Sequence, residues 1–169
     1  SASMLRYAHA RAEALDVPID FSQQNAEHTN FPDGHFDLVL SHGLLHETSS
    51  TAIRNVLAES RRLLAPGGIT LHFEGPPWDR IDPFDAAVHH WDTHFNAEPF
   101  IGKMHDLNPA KLITDAGYDA REYEYLDVNV PSIFAETIGH WKGTTGSPRA
   151  AYWFFGARRK SSSKLLNPF

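Results

Sequence analysis

The chain has 169 residues, of which 41% are hydrophobic and 21% charged, a composition typical of one globular domain with its own core. Its 21 acidic and 15 basic residues give a formal net charge of -6, and no basic run offers a surface for nucleic acid. The absence of cysteine excludes disulfides, thiolate metal sites and cysteine nucleophiles. With no long apolar run and no signal peptide, we expect a soluble, cytoplasmic protein that does not enter a membrane.

The first third of the chain predicts a helix followed by two extended segments. Apolar residues at helical spacing between Met4 and Leu15 predict an amphipathic helix that Ser1 caps. Residues 19–24 are short and extended. The apolar run 36–40 is bounded by turn residues and predicts a buried strand.

A second helix and another strand continue this alternation. Thr48, Ser49 or Ser50 can cap a helix that ends at Pro66-Gly67-Gly68. The inner stripe of that helix comprises Ile53, Val56, Leu57, Ser60 and Leu64. Residues 69–73 alternate apolar and polar side chains and predict a strand. Helices that alternate with strands require crossover connections, so the pattern predicts an α/β fold with a mainly parallel sheet.

The second half of the chain begins with a change of composition. Residues 75–108 are rich in Pro, Trp, His and Phe, and predict an insertion over one end of the sheet with a helix at 84–95. Asn108-Pro109 opens a short helix. Segments 118–130 and 150–157 predict an antiparallel closing strand pair, joined by a loop containing Gly139, Gly143 and Gly146 that we interpret as a connector.

Five short motifs occur in a characteristic order: Gln24-Asn25-Ala26-Glu27, Phe31-Pro32-Asp33-Gly34, Phe36-Asp37-Leu38-Val39, Leu44-Leu45-His46 and Arg62-Leu63-Leu64-Ala65-Pro66-Gly67-Gly68. As an ordered set they resemble the class I S-adenosylmethionine-dependent methyltransferases of the small-molecule type. The resemblance implies a Rossmann-like domain over residues 1–160, N-terminally incomplete, with a tail at 161–169. Residues 19–24, 36–40 and 69–73 would be the third, fourth and fifth strands of that fold, and the closing pair would be the sixth and seventh.

The resemblance also implies an S-adenosylmethionine site at the carboxyl ends of the strands. In that family the residues after the third strand contact the adenine, which here are Asn25, Ala26 and Glu27. The family usually has Asp at the position of Asn25, and an Asn amide can still form hydrogen bonds there. The residues after the fourth strand would face the methionine part of the cofactor, and these are Ser41, His42 and Gly43.

Two further parts of the family's cofactor site would precede Ser1, namely the glycine-rich loop and the acidic residue that binds the ribose. The first strand of that fold, which pairs with the fourth, would precede Ser1 as well. We therefore expect the strand at 36–40 to have an unpaired edge, which invites association. Upstream residues, a second copy, a partner chain or a rearranged element would cover it.

Candidate catalytic residues follow the strand at 36–40. His46 and Glu47 are placed to act as a general base, although they could instead pair with each other or cap the next helix. Glu74 could bind a polar acceptor or cap the turn that follows it. The residues predicted to contact the small-molecule substrate are Leu45, His46, Glu74, Trp78, Trp91 and His94. The aromatic residues of the insertion could form a lid, or simply pack the insertion onto the sheet.

Three functions remain open from the sequence. The first is S-adenosylmethionine-dependent methyl transfer to a small-molecule acceptor, and the second is a degenerate methyltransferase fold that serves as a binding or assembly subunit. The third is a metal-using hydrolytic site built from His89, His90 and His94. Because no carboxylate or cysteine motif completes a zinc pattern around these histidines, we predict no metal site.

Overall fold

The computed structural model describes residues 1–75, 77–81, 83–128 and 152–160. The helices are α1 (Ala2–Ala14), α2 (Ser50–Leu63), α3 (Pro83–Phe95), α4 (Ile101–His105) and α5 (Pro109–Asp115). The strands are β1 (Phe36–His42), β2 (Leu64–Glu74), β3 (Tyr123–Val128) and β4 (Tyr152–Arg158). Single 3₁₀ turns occur at Leu45–Glu47, Trp78–Arg80 and Ala120–Glu122. The predicted connector glycines and the predicted tail at 161–169 lie outside the described residues.

The four strands form one mixed sheet in the order β1-β2-β4-β3. The β1–β2 pair is parallel, whereas β4 runs antiparallel to both β2 and β3, which confirms the predicted α/β class and the closing antiparallel pair. Gly156 of β4 lies opposite Leu71 of β2, and a Cβ atom there would overlap the carbonyl oxygen of Thr70. Glycine is therefore required where β4 crosses Thr70.

One face of the sheet carries the hydrophobic core. Helix α2 contacts β1 and β2, and α5 contacts β4 and α2, so both helices lie on the same face. Ser49 caps α2, since its side chain accepts a hydrogen bond from the N–H of Ala52 at 3.2 Å. The core consists of Leu45, Ile53, Val56, Leu57, Leu64, Met104, Leu112, Ile113, Tyr118, Phe155 and Ala157.

The predicted strand at 19–24 is not observed, and these residues have no strand pairing. A strand needs a neighbour to accept and donate its backbone hydrogen bonds, and β1 pairs with no described strand except β2. The helix capped by Ser1 is confirmed, but its apolar stripe is only partly packed, since Ala12 is buried whereas Met4 and Leu15 are 65% and 59% exposed.

The edge of the sheet at β1 is open in the described part of the chain. Val39 packs against the core, whereas its neighbours Leu38 and Leu40 point to the opposite face and are 54% and 58% exposed. This agrees with the expected unpaired edge. No helix among the described residues is both long and apolar enough to cross a lipid bilayer.

Candidate active site

The chain turns sharply where β1 ends. Gly43 adopts a φ of +60°, a conformation that favours glycine, and its N–H donates to the carbonyl of Phe73 at 3.0 Å. The single turn Leu45–Glu47 follows, and α2 then begins at Ser50. Because β1 and β2 are parallel, this turn lies beside the carboxyl end of β2.

A buried carboxylate from the end of β2 holds this turn. Glu74 is 1% exposed, and its Oε1 atom accepts hydrogen bonds from the N–H groups of Leu44 at 2.9 Å and Leu45 at 2.7 Å. Its Oε2 atom lies 2.7 Å from Nδ1 of His46. Glu74 is thus shielded from solvent, and it anchors the segment after β1.

The same contacts set the charge of the pair. The hydrogen bond to Glu74 raises the pKa of His46 above the ordinary 6.5, although burial opposes this, and the carboxylates of Glu74, Glu47 and Glu98 add to the rise. Burial tends to raise the pKa of Glu74, but hydrogen bonds from His46 and from the backbone of Leu45 and Leu44 hold it below 4.5. The imidazole side chain is 22% exposed, and its Nε2 atom lies 3.6 Å from Oε1 of Glu47. His46 therefore turns Nδ1 inward and Nε2 outward.

The insertion contributes an acidic group that the sequence did not suggest. Helix α4 contacts the Leu45–Glu47 turn, and Glu98 of the insertion lies with His46 and Glu47 so that one ligand-type atom of each falls within 4.8 Å. In the described part of the chain this is the one group of three residues that could hold a metal ion. Glu98 follows α3 with no recognisable spacing to β1, so no sequence signal links it to His46.

A second polar contact joins β1 to β2 below this turn. The hydroxyl of Ser41 lies 2.8 Å from Nδ1 of His72, whose Nε2 lies 3.0 Å from the hydroxyl of Thr70. Burial lowers the pKa of His72 to about 4, so this ring is neutral at pH 7. The Ser41 hydroxyl is therefore engaged within the protein. The neighbouring His42 stacks on Phe73 with ring centres 4.8 Å apart.

The predicted adenine segment forms a compact turn beside α2. Oδ1 of Asn25 accepts the N–H of Glu27 at 3.0 Å, and Oε2 of Glu27 accepts a hydrogen bond from the side chain of Asn55 at 2.7 Å. Ala26 packs against the core. Since Asn55 lies in the second turn of α2, this segment is at the same end of the sheet as Gly43.

A cavity of about 450 Å³ opens beyond the end of β2. Trp78 lines it, stacks on His90 and His105 with ring centres 4.5 and 4.4 Å away, and donates its indole N–H to Asp106 at 3.0 Å. Cavities of this size bind small molecules in many proteins. The other lining residues are Pro77, Asp79, Arg80, His105, Asp106, Leu107, Asn108, Pro109, Ala110 and Tyr123.

Three residues predicted to contact substrate lie elsewhere. Leu45 is 1% exposed and belongs to the core. Trp91 is 54% exposed and packs on Phe95, and His94 is also exposed, so neither lines the cavity with Trp78. Of the three insertion residues predicted to contact substrate, Trp78 lines the cavity, whereas Trp91 and His94 do not.

Comparisons with known proteins find similarity to methyltransferases. A family model described as a methyltransferase domain matches residues 1–68. The ubiquinone/menaquinone biosynthesis C-methyltransferase UbiE of Psychromonas ingrahamii is 30% identical over 130 residues, covering 73% of this chain and 44% of that protein. In sequence and in fold, the chain is similar to class I S-adenosylmethionine-dependent methyltransferases.

Solved structures of methyltransferases share the fold. An O-methyltransferase family protein from Burkholderia thailandensis aligns with a TM-score of 0.60 at 20% identity, covering 92% of this chain and 40% of that one. A SAM-dependent methyltransferase from Methanosarcina mazei also aligns with a TM-score of 0.60, at 15% identity, covering 95% and 79%. The chain spans less than half the length of the UbiE relative.

The two segments expected to contact S-adenosylmethionine lie near each other. The Asn25–Glu27 and Ser41–Gly43 segments lie at one end of the sheet, and the nearest heavy atom to a Cβ added at Gly43 would be Cε1 of His46 at 3.6 Å. Because the side chains of Ser41 and Glu27 are engaged within the protein, these segments would hold the cofactor chiefly through backbone groups.

The three insertion histidines do not converge on one point. His90 stacks on Trp78, His89 lies edge-on to His105, and His94 is exposed. None of the three joins a group of potential metal ligands in the part of the chain that the structure describes. The geometry therefore lends no support to a hydrolytic metal site.

Proposed function

We propose that the chain forms the acceptor side of an S-adenosylmethionine-dependent methyltransferase that acts on a small molecule. His46, held by Glu74 at the carboxyl ends of β1 and β2, is the observation that carries this proposal. S-adenosylmethionine, when bound, supplies a methyl group that is already activated for displacement. The protein's contribution is then alignment of the acceptor and removal of its proton.

His46 is the proposed base. With Nδ1 bound to the ionised Glu74, the neutral ring presents Nε2 as an acceptor for the proton of the attacking atom. Glu47 and Glu98 beside Nε2 favour the imidazolium that forms. An acceptor hydroxyl, amine or acidic carbon meets this requirement, and the name of the UbiE relative specifies transfer to carbon.

The cavity beside Trp78 is the proposed acceptor pocket. It is lined by residues of the insertion that follows β2, and its volume of about 450 Å³ suits a small molecule. Asp106 and Asn108 supply polar groups in its lining.

We place this reaction in the cytoplasm, because a chain without cysteine has no need of an oxidising compartment.

A second candidate function is a binding or assembly subunit with no catalysis of its own. The open β1 edge and the internal engagement of Ser41 and Glu27 favour it. In that case a partner chain or a second copy would pair with β1.

Calorimetric titration of S-adenosylmethionine into the 169-residue chain separates the two candidates. Catalysis by this chain predicts a dissociation constant of about 1 µM or tighter. Gly43→Ala should weaken binding about tenfold, because a side chain at a positive φ strains the cofactor turn. Gly67→Ala is the matched control, since Gly67 also has a positive φ but lies at the opposite end of β2.

Equal affinities of the two glycine variants would contradict the proposed cofactor turn. A folded chain that binds no S-adenosylmethionine would refute autonomous catalysis and favour the assembly subunit.

A further inference from the structure

The Glu74 carboxylate contacts two different parts of the candidate site at once. One oxygen accepts both backbone N–H groups of Leu44 and Leu45, and the other faces the ring of His46. The side chain of Glu74 has no exposed surface, whereas that of His46 is 22% exposed. A substrate therefore meets the imidazole and not the carboxylate.

This geometry determines which ring nitrogen can react. A carboxylate oxygen only accepts hydrogen bonds, so Nδ1 of His46 must carry a proton to bond to it at 2.7 Å. In the neutral ring Nε2 is then the acceptor, and it is the atom turned toward Glu47 and the solvent.

We propose that Glu74 is a positioning residue for methyl transfer, which holds His46 as the Nδ1–H tautomer with Nε2 presented to the acceptor. This role rests on the proposed function of His46 as the base. Glu74 itself does not touch the acceptor and takes no proton from it. It acts through the ring orientation, and stabilises the imidazolium that forms when Nε2 accepts the acceptor's proton.

A purely structural role, in which Glu74 only anchors the Leu44–Leu45 backbone, makes a different prediction for Glu74→Gln. The glutamine carbonyl oxygen can still accept both backbone N–H groups, so the turn remains anchored. The glutamine NH₂ group, however, would donate to Nδ1 and leave the proton of the neutral ring on Nε2. The variant therefore separates anchoring of the backbone from orientation of the ring.

The experiment measures the ring nitrogens of His46 by long-range ¹H–¹⁵N NMR across a pH series, in the wild-type chain and in Glu74→Gln. The signal is assigned among the 11 histidines by its loss in His46→Gln. We expect the Nδ1–H tautomer in the wild-type chain, and the Nε2–H tautomer with a lower His46 pKa in the variant. The groups facing this ring are Glu74 on β2, Glu47 on its own turn and Glu98 of the insertion.

Turnover provides the second readout. We expect kcat to fall about 10²- to 10⁴-fold in Glu74→Gln, with the KM for S-adenosylmethionine changed less than about twofold. Glu59→Gln is the matched control, because Glu59 is a buried carboxylate bonded to Thr29 and Arg62, away from His46. This control should leave both the His46 tautomer and kcat unchanged.

An unchanged tautomer in Glu74→Gln would overturn the positioning role. A changed tautomer with unchanged turnover would instead refute His46 as the base, so the two proposals fail separately. If Glu74→Gln does not fold, the wild-type spectrum decides: an Nε2–H ring, or a His46 pKa no higher than the ordinary 6.5, overturns the proposal.

Discussion

Two buried carboxylates hold irregular parts of this chain in place. Glu74 and Glu59 are almost fully buried, and each accepts hydrogen bonds from several donors, including backbone N–H groups of a neighbouring turn or loop. A buried carboxylate is unfavourable unless it is well bonded, so such residues hold loops in one conformation. Glu74 does this for the turn after β1, and Glu59 does it for the loop before β1.

The proposed base predicts a specific pH dependence of turnover. A base must be neutral to accept a proton, so activity should rise as the pH increases through the raised pKa of His46, above 6.5. Glu74, Glu47 and Glu98 face the ring and keep that pKa high. His46→Gln should lower kcat about 10²- to 10⁴-fold and abolish this rise in a pH–rate profile. His9→Gln, at an exposed histidine of α1, is the control and should change neither; a rise that persists without His46 would assign the base elsewhere.

Glu59 predicts a pH-dependent contribution to stability. Its carboxylate accepts hydrogen bonds from the backbone and hydroxyl of Thr29 at 2.8 and 2.7 Å, and from the Arg62 guanidinium at 2.8 and 2.6 Å. The hydrogen bond from Arg62, aided by those from Thr29, lowers the pKa of Glu59 from 4.5 to about 2. A lowered pKa stabilises the fold above the unfolded value, and this contribution disappears as the pH falls from 4.5 to about 2.

Glu59→Gln should therefore reduce the free energy of unfolding at pH 7 by about 1–3 kcal/mol. Urea unfolding across pH measures this, and the difference from the wild-type chain should shrink toward pH 2. Glu13→Gln on α1 is a suitable control, because its side chain is 70% exposed, and a change within about 0.5 kcal/mol is expected. If Glu59→Gln lowers the free energy of unfolding equally at pH 7 and at pH 2, ionisation of Glu59 is not the cause.

At the scale of elements, the sequence predicted those helices and strands that depend on residues close together in the chain. The caps at Ser1 and Ser49, the helix opened by Asn108-Pro109, and the strand β1 all follow from residues a few positions apart. The predicted helix end at Pro66-Gly67-Gly68 is wrong, because the backbone is already extended at Leu64, where β2 begins. Residues 19–24 have the composition of a strand but no partner, and strand formation depends on a partner that local sequence does not specify. The short helix α4 likewise depends on packing, since Met104 and His105 are buried.

For the candidate site, the sequence predicted where residues lie along the chain but not which side chains contact each other. The sequence placed His46 and Glu74 after two strands at the same end of the sheet, but it did not predict the hydrogen bond between them. Leu45 is the one apolar residue of the Leu45–Glu47 turn, and its side chain packs into the core. Glu98 reaches His46 only because α4 packs on that turn, a tertiary contact with no local signature.

At the scale of the whole molecule, the sheet is covered unevenly. Helices α2 and α5 cover one face, while Leu38 and Leu40 remain exposed on the opposite face of β1. In the described residues β1 pairs with β2 only, so unpaired backbone groups and exposed leucines occur along the same strand. Strand edges with this character favour pairing with a further strand.

The 169-residue chain should therefore associate as its concentration rises, and sedimentation velocity over a concentration series measures this. The double variant Leu38→Lys and Leu40→Lys should shift the distribution toward monomer, because charged side chains on an edge strand oppose further pairing. Its stability should change little, since both leucines are already more than half exposed. Leu15→Lys is the control, because Leu15 is 59% exposed but follows α1 and not the sheet edge. If Leu15→Lys dissociates the assembly and the β1 variant does not, association occurs through the unpacked stripe of α1, and the open strand edge is not the contact surface.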